Sequence, residues 1–499
     1  MQDTHMAVVS DYTALLQIND SASARWNATA ELGTPIIVTY SFAEGAEIPA
    51  ASESAYSVAR TFAFTDQQRQ NFRDAADIYE RAAGVVFVEV DSGGMIDVSN
   101  ADGSSYGGWA SYPSASAGYT SNGIFVIDSE GDYGKGTYGF QIMLHELGHA
   151  MGLKHTHDGS LILDPSLDNQ HQTVMTYNNT SPYTTQLGLL DLQALDYLYG
   201  TAVDSSAWSF DHDAFSNTMT IAGSSKADVL FGVAGSNVLI GGARGDRLIG
   251  RNVEDSLFGN QGNDTLSGGN GADKLAGNGG KDALFGDYHN DVLNGGRGDD
   301  QLYGGAGADV LEGGQGGDTL YGEDYNDSLF GGQGSDKLYG GDDRDTLYGE
   351  AGKDRLFGGG DGGDVLYGGN GKDWLYSGAE DGSGGGYARD YYGGNGNDRM
   401  FGGDGNDYFY GGAGKDTMTG GAGYDVFQFS EEAGRDRIKD FENGIDRISL
   451  SGVGFEFADL KFVSKAGGES TLIKVNGFGS SIYVKDLAVE ELDVWDFLT

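Results

Sequence analysis

The spacing of apolar residues in the first part of the chain alternates between that of strands and that of helices. Residues 36–42 are rich in β-branched side chains and predict a strand. From Thr65 to Ala83 apolar residues recur at every third or fourth position, which predicts a helix, and Gln68 can complete a cap with Thr65. Further strands are predicted at 85–90, 95–99, 108–112 and 123–128.

Two more helices are predicted, one beginning at about Thr137 and one over 187–199. This order of strand, helix, several strands and helix predicts an α/β or α+β domain, in which a mixed sheet carries a helix against one face. Residues 1–34 are weakly patterned. They are predicted to form an N-terminal segment, a candidate propeptide with a short helix over 12–18.

Beyond Gly200 the pattern changes to a nine-residue repeat. From Asp228 an acidic residue returns every nine positions, with a single asparagine in the series, and good copies read Gly-Gly-x-Gly-x-Asp-x-Leu-x, as in 268–276. A ten-residue unit shifts the phase before Asp364, and a longer interruption covers 377–392. The strict phase predicts an all-β parallel β-roll instead of a disordered glycine-rich linker.

Ordinary apolar alternation returns at the C-terminal end, as a capping β region over the open end of a solenoid requires. The predicted organisation is therefore an N-terminal segment at 1–34, a catalytic domain at 35–200, a connector at 201–227, the roll at 228–425 and the cap at 426–499.

Composition narrows the range of partners. Acidic side chains number 75 and basic ones 30, so the net charge of −45 argues against nucleic acid or an anionic membrane and indicates a large demand for cations. No apolar run is long enough to span a bilayer, and no conventional signal peptide is predicted. The chain has no cysteine, so no disulfide supports the fold. We expect a monomer.

The helix predicted from Thr137 carries a set of metal ligands. His145 and His149 are four residues apart and project from one face, where two imidazole nitrogens can bind one Zn²⁺. Gly152 lets the backbone leave the helix, so that His155 can return as a third ligand and one coordination position stays open for water. Glu146 is placed to take a proton from that water as general base. The alternative is a buried helix with hydrogen-bonded histidines, which the complete pattern argues against.

Two histidines further along, His157 and His171, are rival third ligands at other spacings from the helix. Met175 stands in a segment that can form a tight turn and an apolar floor under the metal. Tyr177, two residues on, can bring a phenol to the same place. Both residue types are common in cores, so this second motif gains its meaning from the zinc pattern upstream.

The glycine-rich repeats predict calcium sites. Glycines permit the left-handed turns that aim carbonyl oxygens inward, and aspartate supplies the hard anionic oxygen that Ca²⁺ prefers. Stacked aspartates repel one another without metal, so folding of the roll is expected to depend on calcium. The residues assigned to these sites are Asp264, Gly268, Asn270, Asp273, Asp282, Gly295, Arg297, Asp300, Gly304, Ala306, Asp309, Gly313, Gln315, Asp318, Gly331, Gln333, Asp336, Asp354, Gly368, Asn370, Asp373, Gly393, Asn395, Asp398, Gly402, Asp404, Asp407, Gly411, Ala413, Asp416 and Asp425.

Two nonapeptides make one coil, so alternate repeats are expected to stack on one edge of the roll. The series Asp264, Asp282, Asp300, Asp318, Asp336 and Asp354 keeps the glycine at the fourth turn position throughout. The alternate series loses turn glycines before Asn237, Asp255, Asp291, Asp327 and Asp345. One edge of the roll is therefore predicted to carry the better calcium ladder.

The zinc pattern, together with Met175 and Tyr177, resembles the serralysin branch of the metzincin metalloproteases, and the repeats resemble the calcium-binding RTX region of that family. The likeness extends over nearly the whole chain. It implies one catalytic Zn²⁺ on His145, His149 and His155, several structural Ca²⁺ ions, and Glu146 as the base. Met175 would be the Met-turn residue, and Tyr177 would be an extra zinc ligand that swings away to stabilise the oxyanion.

The same resemblance implies the partners. The strand Gly108, Trp109, Ala110, Ser111 and Tyr112 falls where the family pairs its edge strand with substrate. Protein or peptide substrates, a type I export machinery that reads the C-terminal region, a proteinaceous inhibitor and an extracellular location follow as expectations.

Two rival functions stay open at this point. One is a calcium-binding adhesion or surface protein whose protease half is vestigial, although a vestigial site has no reason to keep Glu146. The other is a zinc enzyme that acts on a non-protein amide or ester. Cleavage preference and any processing of the N-terminal segment are not given by the residues.

Overall fold

The computed structural model describes residues 7–9, 18–19, 22–23, 36–42, 60–90, 95–102, 108–110, 123–128, 132–135, 137–154, 161–163, 168, 172–176, 185–199, 205, 207–213, 216, 218–233, 235–360, 362–378, 389–428, 434–450, 457–475 and 480–498. The chain divides into two compact units, Met1–Ala222 with Phe231–Val238, and Gly223–Leu230 with Leu239–Thr499.

In its described residues, the first unit combines short strands with three α-helices. The helices are α1 (Asp66–Glu80), α2 (Tyr138–Ala150) and α3 (Leu189–Tyr199). The strands are β1 (Ala7–Val9), β2 (Ile18–Asn19), β3 (Ala22–Ser23), β4 (Ile36–Phe42), β5 (Arg60–Phe62), β6 (Val85–Glu89), β7 (Ile96–Asp102), β8 (Gly108–Ala110), β9 (Gly123–Asp128), β10 (Leu161–Leu163), β11 (Ser209–Asp213) and β12 (Thr218–Ala222).

The central sheet of this unit has the order β6-β4-β7-β9-β8, and β5 also pairs with β7. Strands β4, β6, β7 and β9 are parallel to one another, whereas β8 is antiparallel to β9 and ends the order of the described strands. Separately, β1 pairs with β10 in parallel. The mixed sheet with helices that the apolar pattern predicts is therefore confirmed.

Helix α1 begins as its sequence predicts. The Gln68 N–H donates to Oγ1 of Thr65 at 3.3 Å, and the Thr65 N–H donates to Oε1 of Gln68 at 3.0 Å, which closes a capping box. Its apolar face buries Phe72, whose ring lies 5.1 Å from that of Phe125 on β9 in an edge-on arrangement. Tyr79 on the same face is fully buried. These residues belong to the same hydrophobic core as the buried apolar side chains of α2.

The structure differs from two predictions in this unit. The short helix over 12–18 is wrong at its end, because Ile18 lies in the β2–β3 hairpin, and residues 12–17 lie outside the described part of the chain. The segment predicted as a connector contains the antiparallel hairpin β11–β12, in which Phe210 faces Ile221. Alternation of apolar and polar residues over these short strands is the signal for it.

The second unit is a stack of short strands. They are β13 (Val229–Phe231), β14 (Asn237–Ala243), β15 (Arg247–Arg251), β16 (Ser256–Gln261), β17 (Thr265–Asn270), β18 (Lys274–Gly279), β19 (Ala283–Tyr288), β20 (Val292–Arg297), β21 (Gln301–Ala306), β22 (Val310–Gln315), β23 (Thr319–Asp324), β24 (Ser328–Gly334), β25 (Lys337–Gly341), β26 (Thr346–Gly352), β27 (Arg355–Gly359), β28 (Val365–Gly371), β29 (Trp374–Tyr376), β30 (Asp390–Gly396), β31 (Arg399–Asp404), β32 (Tyr408–Gly414), β33 (Thr417–Ala422), β34 (Val426–Gln428), β35 (Arg435–Ile438), β36 (Arg447–Ser449), β37 (Leu460–Lys465), β38 (Ser470–Val475), β39 (Ser481–Val484) and β40 (Phe497–Leu498).

Successive strands alternate between two parallel sheets, so a strand pairs with the one two places further along the chain. Leu266, Leu284 and Leu302 are thereby stacked at intervals of one coil, and all three are fully buried. One apolar residue per strand is enough for the thin core between the sheets. The predicted all-β parallel roll is confirmed.

The parallel stacking continues beyond Asp425. Strand β34 pairs with β36 and β36 with β40, while β35 pairs with β39. The hairpin β37–β38 then adds antiparallel strands beside β39. These pairings form an all-β region at the C-terminal end, in the part of the chain where the sequence predicts a cap.

Candidate zinc centre and calcium ladder

Helix α2 ends in a turn that its sequence predicts. Gly152 has φ of 91°, and its N–H donates to the carbonyl of His149 at 2.9 Å. The Leu153 N–H donates to the carbonyl of Gly148, also at 2.9 Å, which completes a Schellman motif. A side chain at Gly152 would strain this left-handed backbone. The glycine therefore lets the chain turn back directly after the two histidines.

Both histidines of α2 are held by backbone carbonyls. Nδ1 of His145 donates to the carbonyl of Val174 at 2.7 Å, and Nδ1 of His149 donates to that of Leu153 at 2.8 Å. Their rings are buried, with centroids 4.8 Å apart and planes at 88°. A hydrogen bond donated by Nδ1 fixes the tautomer in which Nε2 carries the lone pair, the form in which histidine binds a metal. The donor set therefore fits zinc.

The remaining predicted zinc ligands lie outside the described residues. This holds for His155 and Tyr177 and for the rivals His157 and His171. Within the residues that the structure describes, no three His, Cys, Asp or Glu side chains form a metal-binding group. The third ligand accordingly stays a prediction.

Glu146 follows His145 in α2 and is buried, and burial raises the pKa of its carboxyl to about 8. A hydrogen bond from the backbone of Ala110 acts in the opposite direction and joins the carboxyl to strand β8. Of the predicted substrate strand, Gly108, Trp109 and Ala110 form β8, whereas Ser111 and Tyr112 lie outside the described residues. Burial therefore brings the pKa of this carboxyl much nearer to neutral pH than that of an exposed glutamate, which suits a group that both accepts and donates a proton.

Met175, the residue predicted to lie under the metal, packs against α2. Met175 is fully buried, and a Cβ added at Gly148 would lie only 2.6 Å from its Sδ and 2.9 Å from Oη of Tyr79. Tyr79 donates its hydroxyl proton to the carbonyl of Leu144 at 2.7 Å. Gly148 is therefore the residue that allows the methionine to approach the helix from below.

One supporting residue was missed by the sequence reasoning. Asp191, at the start of α3, is fully buried and accepts from Oγ1 of Thr173 at 2.5 Å and from the N–H groups of Val174 and Gly188 at 2.8 Å each. Burial raises the pKa of Asp191 to about 6, against these hydrogen bonds. Its partners are a hydroxyl that is distant in the sequence and two backbone N–H groups, so the sequence offers no signal beyond an aspartate in the first turn of a largely apolar helix.

In the roll, the aspartates form two rows of hydrogen bonds. Each backbone N–H donates to Oδ1 of the aspartate one coil later, as Asp300 does to Asp318 at 2.8 Å. The first row is Asp228, Asp246, Asp264, Asp282, Asp300, Asp318, Asp336, Asp354, Asp373, Asp398, Asp416 and Asp436. The second row runs through Asp255, Asp273, Asp291, Asp309, Asp327, Asp345, Asp364, Asp407, Asp425 and Asp446.

The second oxygen of these carboxyls is the atom that fits calcium. Oδ2 is buried and has no hydrogen-bond partner among the described residues at Asp246, Asp264, Asp273, Asp282, Asp291, Asp300, Asp309, Asp318, Asp327, Asp336, Asp345, Asp354, Asp373, Asp398, Asp407, Asp416 and Asp425. A buried anionic oxygen without a donor is costly unless a cation binds it. Both rows therefore offer oxygens to Ca²⁺.

The turns of the two rows differ as the sequence predicts. Glycine at the fourth turn position has a left-handed φ in the first row, for example 134° at Gly298. The irregular turns of the second row place His289 and Tyr325, both with φ of 77°, in that conformation. The first turn glycine is also needed for space, since a Cβ at Gly268 would lie 2.4 Å from Oδ2 of Asp273.

Two family models match separate N-terminal and C-terminal parts of the chain. Residues 7–188 match the model of metallo-peptidase family M12. Residues 220–248, 249–284, 285–320, 321–356, 359–383 and 392–427 match that of the RTX calcium-binding nonapeptide repeat.

Two curated relatives resemble the chain. A serralysin from Proteus mirabilis is 27% identical over 218 residues, which are 35% of this chain and 42% of that protein. A matrix metalloproteinase-18 from Xenopus laevis is 39% identical over 61 residues, which are 12% of this chain and 11% of that protein. The similarity thus spans less than half the length of either relative.

Two solved structures are similar in part. The AlgE6R3 subunit of the Azotobacter vinelandii mannuronan C5-epimerase has 27% identity and a TM-score of 0.20, over 25% of this chain and 79% of that one. The extracellular lipase LipA of Serratia marcescens has 16% identity and a TM-score of 0.22, over 44% of this chain and 40% of that one. An M12 metallopeptidase match followed by calcium-binding RTX repeats, with a weak similarity to a serralysin, fits the serralysin-type metalloproteases.

Proposed function

We propose that the chain is a secreted zinc-dependent endopeptidase whose roll is stabilised by calcium. The observation that carries the proposal is the arrangement on α2. Two buried imidazoles are fixed through Nδ1, and the buried carboxyl of Glu146 on the same helix accepts a hydrogen bond from the backbone of Ala110 in β8. This arrangement brings metal ligands, a proton acceptor and a backbone edge together.

Zinc held by His145, His149 and, by the family resemblance, His155 would acidify a bound water and polarise the scissile carbonyl. Glu146 accepts the proton of the attacking water and passes it to the leaving amine. Burial raises the pKa of this carboxyl from its usual acidic range to near neutral pH, which supports a group that first accepts and then donates a proton. The hydrogen bond from Ala110 keeps the carboxyl oriented towards the strand.

Strand β8 supports a peptide as the substrate. It pairs with β9 on one side and ends the order of the described sheet, so an extended peptide can add to its other side through backbone hydrogen bonds. Such pairing recognises the peptide backbone itself. It favours proteins over the non-protein amides and esters that the ligands alone would allow. Tyr177 is proposed to stabilise the oxyanion.

The roll supports an extracellular location. Its rows of buried aspartate oxygens need a cation that is plentiful outside cells, and calcium is the hard divalent ion that suits them. Export through a type I machinery, control by a proteinaceous inhibitor and a monomeric state belong to the same proposal. Among the described residues, no helix is long and apolar enough to cross a membrane.

Hydrolysis of casein by the wild-type chain and by Glu146→Ala tests the proposal, with bound zinc measured on both proteins. We expect the variant to keep its zinc and to lose several orders of magnitude in kcat, because Glu146 acts as base and not as ligand. Asp77→Asn, at an exposed side chain of α1, is the control and should keep full activity.

Activity of Glu146→Ala within tenfold of the wild type would remove Glu146 from the mechanism. Absence of any peptide hydrolysis by zinc-loaded wild type would instead favour the rival, a calcium-binding surface protein with a vestigial protease half.

A further inference from the structure

One position of the second aspartate row is filled by an arginine. Strand β28 pairs with β30 so that Val365 faces Asp390, and the residues immediately before them are Asp364 and Arg389. The N–H of Arg389 donates to Oδ1 of Asp407 at 3.0 Å, as the N–H of each aspartate does in its row. By register and by backbone bonding, Arg389 therefore stands at an aspartate position of the ladder.

The side chain of Arg389 turns back along the row and is completely buried. Its Nε donates to Oδ2 of Asp364 at 2.8 Å. Its Nη2 donates to the carbonyl of Gly360 at 2.9 Å, with the carbonyl of Gly359 at 3.4 Å. One carboxylate oxygen and two turn carbonyls thus surround the guanidinium.

These acceptors are the kind that the other ladder positions offer to calcium. At the neighbours of Asp364 in the row, Asp345 and Asp407, Oδ2 is buried and has no partner among the described residues. At Asp364 the same oxygen is taken by Nε of Arg389. A guanidinium has five donors and no acceptor, so it can satisfy the carbonyls and the carboxylate but adds no ligand for a metal. The residues at this position do not fit Ca²⁺.

We propose that Arg389 takes the place of one calcium ion at Asp364. The second row then consists of two calcium ladders, one that ends at Asp345 and one that begins at Asp407, joined by a link that needs no metal. The link lies next to the interruption of the repeat, where residues are inserted between β29 and β30. A permanent side-chain cation keeps the coils on either side in register when calcium is scarce.

Where the two rows begin, uncharged groups of the chain likewise take up the hydrogen-bonding capacity of the ladder side chains. Asn237 donates from Nδ2 to the carbonyl of Gly235 at 2.8 Å, and its Oδ1 accepts from the N–H of Val233 at 3.0 Å. Oδ2 of Asp228 accepts from the N–H and the hydroxyl of Ser224 at 2.6 and 2.9 Å. The chain therefore supplies its own donors where the rows begin, and Arg389 does so in their interior.

Calcium bound per chain, measured by atomic emission after dialysis against saturating Ca²⁺, tests the proposal. Asp364→Asn should leave the number of bound ions unchanged, whereas the isosteric Asp345→Asn in the same row should lower it. Arg389→Ala should raise the number by one ion, because it frees Oδ2 of Asp364 and the carbonyl of Gly360. Arg399→Ala is the control, since that guanidinium lies over the ring of Trp374 and should not affect the count.

Circular dichroism of each variant at saturating calcium shows whether its roll is folded. If Arg389→Ala does not fold, the comparison of Asp364→Asn with Asp345→Asn decides the matter. The proposal is overturned if Asp364→Asn loses as much calcium as Asp345→Asn, or if a folded Arg389→Ala binds no more calcium than the wild type.

Discussion

Nδ1 of His145 donates to the carbonyl oxygen of Val174 across 2.7 Å. The N–H of Val174 in turn donates to Oδ2 of Asp191, so the backbone of one residue links a buried carboxyl to the imidazole of a proposed zinc ligand. Because the carboxyl also holds Thr173 and Gly188, it fixes the turn on which the orientation of His145 depends. Partners of this kind typically change metal affinity by 10–100-fold when they are removed.

Asp191→Ala should therefore weaken zinc binding by roughly tenfold or more and destabilise the first unit by about 1–3 kcal/mol, since buried donors lose their acceptor. Asp191→Asn should keep both properties near the wild-type level. Its amide oxygen can accept from Val174 and Gly188, and its NH₂ can donate to Oγ1 of Thr173. Zinc competition and urea unfolding measure the two effects. Gln193→Ala, at an exposed position of α3, should match the wild type in both.

The raised pKa of Asp191 gives a separate prediction about pH. Burial raises the pKa to about 6 in the folded chain, whereas an unfolded aspartate titrates near 4. The folded state therefore binds the proton more tightly, and the cost of the buried charge falls as pH decreases from 7 to 5. Relative to Asp191→Asn, which cannot titrate there, the wild type should gain roughly 1 kcal/mol over this interval. A constant difference between the two unfolding free energies would contradict the assigned pKa.

The sequence predicts the bounds of α2 well because its signals are local. The spacing of His145 and His149 indicates which face of the helix carries the predicted ligands, and Gly152 indicates where the helix ends. These signals lie within eight positions. Asp191 was missed because its partners are a threonine hydroxyl and two backbone groups, none of which leaves a spacing rule in the sequence. Gly148 likewise carries no signal in the sequence, because only the structure shows that Met175 packs closely against it.

In the roll, too, one feature could be predicted from the sequence and another could not. The nine-residue repeat is enough to predict the two rows, because aspartates two repeats apart occupy equivalent positions in successive coils. Arg389 could not be predicted, because the interruption before it breaks the phase that would assign it to a row. Its role appears only when strand pairing places it between Asp364 and Asp407.

Gly148→Ala tests the close approach of Met175 to α2. Alanine usually stabilises a helix relative to glycine. Here its Cβ would lie 2.6 Å from Sδ of Met175, so we expect a loss of about 1–3 kcal/mol and weaker zinc binding. Adding Met175→Ala to Gly148→Ala removes the clash and should recover part of that loss, which a double-mutant cycle measures. Additive effects of the two substitutions would mean that the contact does not limit the site.

The last prediction concerns the two rows of the roll. We compare Asp291 and Asp327, both changed to Ala, with Asp300 and Asp336, both changed to Ala. Each pair lies in a single row and spans two coils, and each pair loses equivalent ladder hydrogen bonds. The turns before the first pair place His289 and Tyr325 in the left-handed conformation, whereas the turns before the second pair use glycine.

A non-glycine residue in that conformation costs about 1 kcal/mol, which is about fivefold in a binding constant. The sites at Asp291 and Asp327 should therefore bind calcium more weakly in the wild type and contribute less to folding. Their loss should raise the calcium midpoint of folding, followed by circular dichroism, by a smaller factor than the loss of Asp300 and Asp336.

A third pair separates the turn from the row. Asp273 and Asp309 belong to the second row and are also two coils apart, but their turns keep glycine at the fourth position, at Gly271 and Gly307. Changing both to Ala should shift the midpoint as far as changing the first-row pair does, because the turn conformation and not the edge of the roll sets the strength of a site. If all three double variants shift the midpoint equally, the missing glycines do not weaken calcium binding. If both second-row pairs shift it equally little, the difference belongs to the whole row.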